Sequence, residues 1–180
     1  AEHAIEFAEQ AYTLGMSNGY LWDSPWMRFE YSSPSTPAQV FDYNMRTRER
    51  VLRKTQTVPS GHVPSDYIVE RIDAPASDDA QIPVTMVRHK DTPVDGTAPV
   101  LLYGYGAYGI TIEAEFRTGR LSLVDRGFIY AIADVRGSMA KGYQWYLDGK
   151  LEKKINTFTD FVAAGEHLVM QGLTRRGAIV

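Results

Sequence analysis

The sequence contains no cysteine among its 180 residues, no long uninterrupted apolar run and no large excess of either charge. Without cysteine, disulfide bonds, thiol nucleophiles and Cys-containing metal sites are excluded, which fits a cytoplasmic protein and also many periplasmic ones. No apolar run reaches the roughly 18 residues that a membrane span needs, so we expect no membrane partner. The net charge of −3 gives no electrostatic reason to expect a nucleic-acid partner.

The composition, with 44% hydrophobic and 23% charged residues, is that of a globular protein that can bury a core. The chain changes character near Pro59-Ser60-Gly61, where turn-forming residues separate two patterns. We therefore predict two regions, residues 1–58 and residues 59–180.

The first region is predicted to be a β-meander, because short alternating segments are separated by turn residues. The predicted strands are residues 27–32, 39–43 and 50–56, with a Ser/Pro/Thr turn at 33–37. Three strands alone leave unpaired edges, so the meander is expected to belong to a larger all-β unit that begins before residue 1.

A run of basic residues near the end of this region has two interpretations, a polyanion site or a solvated strand face. Their period-two spacing favours the strand face. These residues are Arg46, Arg48, Arg50, Arg53 and Lys54.

The second region is predicted to be α/β. Residues 67–72 and 82–88 indicate two strands, whereas the continuously apolar residues 100–103 and 128–133 are typical of strands buried on both faces of a sheet. A sheet covered in this way needs helices on both sides. The final residues 178–180 are expected to begin a further buried strand.

One covering helix is predicted after residue 156. Thr157 and Asp160 fit a capping box at its start, and Gly172 is placed to end it. Apolar residues recur between them at helical spacing. They are Phe158, Phe161, Val162, Leu168 and Val169.

A loop rich in glycine and tyrosine follows the first buried strand. Its Gly104-x-Gly106-x-x-Gly109 spacing resembles a dinucleotide-binding fingerprint, with Asp134 after the next strand as a ribose-binding acid. Against this interpretation, the following Ile-Thr-Ile lacks a helix cap, and the tyrosines would crowd a pyrophosphate. The alternatives are that a tyrosine hydroxyl stabilises an oxyanion in a hydrolytic site, or that the tyrosines only pack over strand ends.

A second loop, Asp134 to Ser138, directly follows the other buried strand, where active sites of α/β sheets tend to lie. Arg136 could bind a substrate carboxylate or form an internal ion pair with Asp134 or Asp148, and we favour the ion pair. Ser138 lacks the strand-elbow-helix pattern of a nucleophile. The histidines have no metal-ligand spacing and are expected on the surface or in loops, and no metal site or cofactor is predicted. They are His3, His62, His89 and His167.

Three segments together resemble the prolyl oligopeptidase family of serine peptidases, most closely its oligopeptidase B branch. They are LLYGYGAYG, RLSLVDRGFIYAIADVRG and YQWYLDGKLEKKINTFTDF, and the upstream PWMRFEYSSPSTPAQVFDYN resembles the last part of that family's β-propeller. The resemblance implies that residues 1–58 end a β-propeller and that residues 59–180 begin an α/β-hydrolase domain, which needs the remainder of that domain. It also implies a Ser-Asp-His triad that hydrolyses short peptides after Arg or Lys.

Two tyrosines match family positions. Tyr105 matches the oxyanion-hole tyrosine, and Tyr108 matches the aromatic residue beside the primary specificity pocket. The resemblance implies that the nucleophile elbow begins within about ten residues after Val180, so none of the triad lies in these residues and the chain alone is predicted to be inactive. The alternative is a non-catalytic binding module or pseudo-peptidase, which predicts a natural end after Val180.

One departure from the family concerns the loop after Arg136. Relatives usually have a glycine after Gly137, where this chain has Ser138. If that position required a positive φ, the serine side chain would change the loop geometry.

Overall fold

The computed structural model describes residues 2–17, 19 and 21–180, which form two sheets and three α-helices. The strands are β1 (Thr13–Met16), β2 (Trp26–Ser32), β3 (Gln39–Asn44), β4 (Arg50–Thr55), β5 (Tyr67–Pro75), β6 (Gln81–His89), β7 (Val100–Tyr103) and β8 (Ile129–Ala133). The helices are α1 (Thr118–Val124), α2 (Tyr143–Leu147) and α3 (Ile155–Met170). Among the described residues, no helix combines the length and apolar character needed to cross a membrane.

The first sheet is an antiparallel meander in the order β1-β2-β3-β4, the usual form of a propeller blade. Alternating residues of β2 and β3 point to one face, where Phe29, Tyr31 and Tyr43 are buried. The three strands predicted in this region are confirmed as β2, β3 and β4. The fourth strand, β1, was not predicted. It has only four residues, and its two apolar residues, Leu14 and Met16, are exposed instead of buried.

The basic run does not lie on one strand face. Arg46 and Arg48 lie in the turn between β3 and β4, where Arg48 has a φ of +64°. On β4, Arg53 pairs with Asp42 at 2.8 Å, and the Arg50 guanidinium lies over the Phe41 ring. The interpretation as a solvated strand face was therefore wrong for Arg46 and Arg48. Their two-residue spacing, which is typical of a strand, occurs here in a tight turn.

The second sheet has the order β5-β6-β8-β7 and mixes strand directions. β6 pairs antiparallel with both β5 and β8, whereas β7 and β8 are parallel and are connected through α1. Ile179 extends the sheet beyond β7 by a parallel bridge to Val100. The predicted α/β class is confirmed. Of the two continuously apolar segments, β8 is an interior strand, whereas β7 ends the four-stranded order and, within the described residues, has only the Ile179 bridge on its outer side.

Both faces of this sheet are covered by helices, which explains the continuous apolar pattern of β8. Ile129 and Ala131 face one side and pack in the same core as Leu168 of α3. Tyr130 faces the other side and packs with Val124 of α1. Since successive residues of a strand point to opposite faces, every position of β8 must be apolar.

The predicted capping box at the start of α3 was wrong. The helix begins at Ile155, and no side chain caps it. Thr157 and Asp160 lie inside the first turns and are almost completely buried. Their hydroxyl and carboxylate groups bind another loop instead of the helix end, a use that local spacing cannot reveal.

The predicted end of α3 at Gly172 is confirmed. Gly172 has a φ of +71°, and its N–H donates to the Val169 carbonyl at 3.0 Å. The Leu173 N–H donates to the Leu168 carbonyl at 3.1 Å. These two bonds form a Schellman motif, which satisfies the last helical carbonyls.

A buried ion pair joins α3 to the loop after β8. Arg136 Nη2 lies 2.6 Å from Asp160 Oδ1, and its Nη1 lies 2.6 Å from Asp78 Oδ2. The Arg136 backbone N–H also donates to Asp160 at 2.9 Å. The predicted internal ion pair is present, but its predicted partners were wrong, because Asp134 pairs with Arg71 and Asp148 with Lys153.

A second ion pair joins β5 to the end of β8. Arg71 Nη2 lies 3.2 Å from the carboxylate of Asp134, which is 8% exposed. Burial raises the pKa of Asp134 to about 6, although Arg71 opposes this shift and nearby Glu113 adds to it. Asp134 therefore binds its proton more tightly in the folded protein than in the unfolded chain.

We predict that Arg136→Met destabilises the protein by about 3–5 kcal/mol, because it leaves Asp160 as an uncompensated buried carboxylate. The control is Arg28→Met, which removes an exposed ion pair with Asp42 and should have a much smaller effect. Urea unfolding of each variant gives the comparison. Equal losses for the two variants would contradict this assignment.

We predict that Asp134→Asn removes a pH dependence of stability. The folded pKa of about 6 exceeds the unfolded value of about 4, so the contribution of the protonated form is complete below pH 4 and is lost as pH rises through 6. The variant should gain about 2–3 kcal/mol relative to the parent between pH 4 and pH 7. Asp73→Asn, an exposed position on β5, is the control and should show no such gain in urea titrations.

Candidate functional site

The glycine- and tyrosine-rich loop at 104–109 begins where β7 ends. The Ile110 N–H donates to the Ala107 carbonyl at 3.0 Å and closes a tight turn. Its two central residues, Tyr108 and Gly109, have φ values of +55° and +72°, the combination of a type I′ turn. A non-glycine residue with positive φ is uncommon, so this turn holds Tyr108 in a conformation that needs support from its surroundings.

Both loop tyrosines are accessible. The Tyr105 side chain is 43% exposed and that of Tyr108 is 84% exposed. No group within residues 2–17, 19 and 21–180 forms a hydrogen bond with the Tyr105 hydroxyl, which is left available to a ligand. Loops at the carboxyl ends of strands in an α/β sheet are where ligands bind, so these phenols lie at the expected edge.

The tyrosine loop packs directly against the loop after β8. The Gly109 N–H donates to the Gly137 carbonyl at 3.0 Å. Gly137 has a φ of +95°, and a Cβ there would lie 2.1 Å from the Gly106 oxygen. Gly106 has a φ of +62°, and its Cβ would lie 2.3 Å from Thr157 Cγ2. Only glycine fits at these two positions, because the Gly106 backbone leaves no room for a Cβ at Gly137, and the Thr157 and Val135 side chains leave none at Gly106.

The first turn of α3 joins the two loops. The Thr157 hydroxyl donates to the Arg136 carbonyl at 2.6 Å and lies 3.4 Å from the Gly106 carbonyl. Lys154 Nζ donates to the same Gly106 carbonyl and to Thr157 Oγ1, the latter at 3.1 Å. The burial of Lys154 lowers the pKa of its ammonium. Sequence reasoning missed Lys154, which lies in a run of lysines that resembles a solvated surface.

Arg136 was predicted to lie near the site, and its backbone is part of the network around the tyrosine loop. Its guanidinium, however, is 7% exposed and surrounded by Asp78 and Asp160, so the alternative of a substrate-carboxylate clamp does not fit. Ser138 is buried and donates its hydroxyl to the Val135 carbonyl at 2.8 Å, which rules it out as an accessible nucleophile. The backbone of Ser138 lies outside the positive-φ region, so its side chain adds no strain.

The dinucleotide-binding interpretation does not fit the structure. The fingerprint requires a helix directly after its last glycine, whereas residues 110–117 are not helical and α1 begins only at Thr118. In the described part of the chain, no cluster of three or more His, Cys, Asp and Glu residues could hold a metal ion. His167 was expected at the surface or in a loop, but it lies half-buried within α3.

A sequence profile of the prolyl oligopeptidase family matches residues 114–180. The chain is 44% identical to dipeptidyl aminopeptidase BI of Pseudoxanthomonas mexicana, over 97% of the chain and 24% of that protein. It is 34% identical to protease 2 of Moraxella lacunata, over 94% of the chain and 25% of that protein. The chain thus spans about a quarter of the length of these relatives.

The fold agrees with these sequence matches. The structure of oligopeptidase B from Leishmania major superposes with a TM-score of 0.88 at 38% identity, over 97% of this chain and 24% of the other. This match includes both the antiparallel meander and the mixed sheet. Over nearly its whole length the chain is therefore similar in sequence and fold to members of the prolyl oligopeptidase family, among them oligopeptidase B.

Proposed function

We propose that the chain is part of a serine oligopeptidase, in which the Tyr105 hydroxyl donates a hydrogen bond to the oxyanion of the tetrahedral intermediate. The observation that carries this proposal is the half-exposed phenol at the carboxyl end of buried β7, whose hydroxyl has no partner in the described residues. When a serine attacks a peptide carbonyl, negative charge develops on the carbonyl oxygen. One preorganised donor at that oxygen stabilises the transition state by about 3–4 kcal/mol.

The nucleophile, acid and base are proposed to come from sequence outside residues 1–180, with the nucleophile elbow within about ten residues after Val180. An apolar groove of about 490 Å³ lies beside α3 and supports the proposal that further residues of a peptidase domain pack against this helix. Phe161, Val169 and Ile179 are among its lining residues, and Met170 at its rim is 71% exposed. Covering this groove with the remainder of a peptidase domain would remove apolar surface from water.

We also propose a domain division at residue 58. The antiparallel meander, residues 1–58, would be the end of a β-propeller, and residues 59–180 would be the first part of the peptidase domain. The separation of hydrogen bonding into two sheets supports this division. The linker residues between β4 and β5 contain the Pro-Ser-Gly turn that marks the change of pattern.

Two substrate classes are candidates, both of them short peptides. Family resemblance favours cleavage after Arg or Lys within a peptide, with Tyr108 beside the pocket for that side chain. The similarity to a protein named dipeptidyl aminopeptidase favours removal of dipeptides from a free amino terminus. The exposed Tyr108 ring can pack against the aliphatic part of a basic side chain in either case.

We predict that the complete polypeptide containing this chain hydrolyses Arg-Arg-aminomethylcoumarin with a blocked amino terminus, and that a serine-directed phosphonate abolishes this activity. Cleavage only of the unblocked substrate would favour the dipeptidyl aminopeptidase assignment. Absence of both hydrolysis and phosphonate labelling would support a non-catalytic binding module and contradict the proposal.

We predict that Tyr105→Phe in the complete polypeptide lowers kcat about 10²- to 10³-fold with little change in KM, because the donated hydrogen bond forms mainly in the transition state. Tyr103→Phe is the matched control, since Tyr103 is similarly exposed at the end of the same strand. Steady-state kinetics of both variants test the assignment. Equal kinetics for parent and Tyr105→Phe would exclude the oxyanion role.

A further inference from the structure

Lys154 lies directly before α3, and its side chain is half-buried. Its ammonium group points into the crossing of the two loops, where it donates to the Gly106 carbonyl and to Thr157 Oγ1. The neighbouring Lys153 differs completely, because it is exposed and forms a 2.7 Å ion pair with Asp148. Only one of these adjacent lysines therefore contacts the tyrosine loop.

The environment of Lys154 is costly for a cation. Among the ion pairs of the described residues, none includes Lys154, and burial alone lowers the pKa of the ammonium. Removing a charge from water without an opposite charge is unfavourable, even when neutral oxygens accept its hydrogen bonds. The buried ammonium of Lys154 is therefore not expected to stabilise the fold. We infer that it has a role in the function of the loop.

The group that Lys154 binds is the carbonyl of Gly106, the residue that follows Tyr105. Gly106 has no side chain to fix its backbone, and the other nearby donor, the Thr157 hydroxyl, is 3.4 Å away. That hydroxyl has one proton, which it donates to the Arg136 carbonyl at 2.6 Å. Lys154 is therefore the main hydrogen-bond donor to the Gly106 carbonyl.

We propose that Lys154 is a positioning residue for Tyr105. It anchors the Gly106–Ala107 peptide group, one residue after the tyrosine. The Thr157 hydroxyl, which accepts from Lys154, links this anchor to the Arg136 loop. Without it, the Gly106 peptide group can rotate and displace the phenol from the oxyanion. A displacement of about 1 Å at a catalytic group can reduce the rate about 10²-fold. This inference rests on the proposed oxyanion role of Tyr105.

The test uses Lys154→Met in the complete polypeptide, with Lys153→Met as the control that removes the adjacent positive charge. We expect Lys154→Met to lower kcat 10- to 100-fold with KM changed less than about threefold, and Lys154→Arg to restore part of the loss. Affinity for a peptide aldehyde, which forms an oxyanion-like adduct, should fall in parallel, whereas affinity for a non-covalent product peptide should not. If Lys154→Met does not fold, Lys154→Gln replaces it.

The double variant with Tyr105→Phe distinguishes positioning from a general structural role. If Lys154 acts through Tyr105, the Lys154→Met substitution should have little further effect once the phenol hydroxyl is gone. Two results would overturn the inference about Lys154 and leave the oxyanion role of Tyr105 intact. One is additive losses of kcat in the double variant, and the other is parent-like kinetics of Lys154→Met while Tyr105→Phe is impaired. An unimpaired Tyr105→Phe would overturn the proposed oxyanion role and this inference with it.

Discussion

The buried ion pair between Arg136 and Asp160 is the interaction on which the candidate site depends. It fixes α3 against the loop after β8, and Asp160 accepts from both the guanidinium and the backbone of Arg136. With these elements fixed, Thr157 reaches the backbone crossing, and Gly106 and Gly137 can approach closely. The tyrosine loop is thus fixed through its backbone, while its phenols remain exposed. Substitution of either Arg136 or Asp160 is expected to change the geometry of the loop as well as to destabilise the protein.

Much of the architecture could be predicted from the sequence, because it follows from local patterns. The alternation in β2 and β3, the continuously apolar β7 and β8, and the glycine that ends α3 each reflect short-range rules. The tyrosine loop was also located correctly. Its position after a buried strand, together with family resemblance, was sufficient to indicate Tyr105 and Tyr108 as candidates.

Long-range pairing was less predictable. Arg136 pairs with Asp78 and Asp160, which lie 58 and 24 residues away, and nothing in the local sequence distinguishes them from Asp134 or Asp148. Thr157 and Asp160 have the residue types and spacing of a capping box, but their side chains bind the Arg136 loop instead of the start of α3. Lys154 was missed because its burial depends on where the tyrosine loop crosses α3, which is a property of tertiary packing.

The central claim is that Tyr105 stabilises an oxyanion at the carboxyl end of β7. The most direct measurement is a crystal structure of the complete polypeptide with a peptide aldehyde bound to its nucleophile. The account predicts that the Tyr105 hydroxyl lies about 2.7–3.1 Å from the adduct oxygen, the distance expected for an oxyanion donor. An adduct oxygen bound elsewhere, with the Tyr105 hydroxyl facing solvent, would contradict the account.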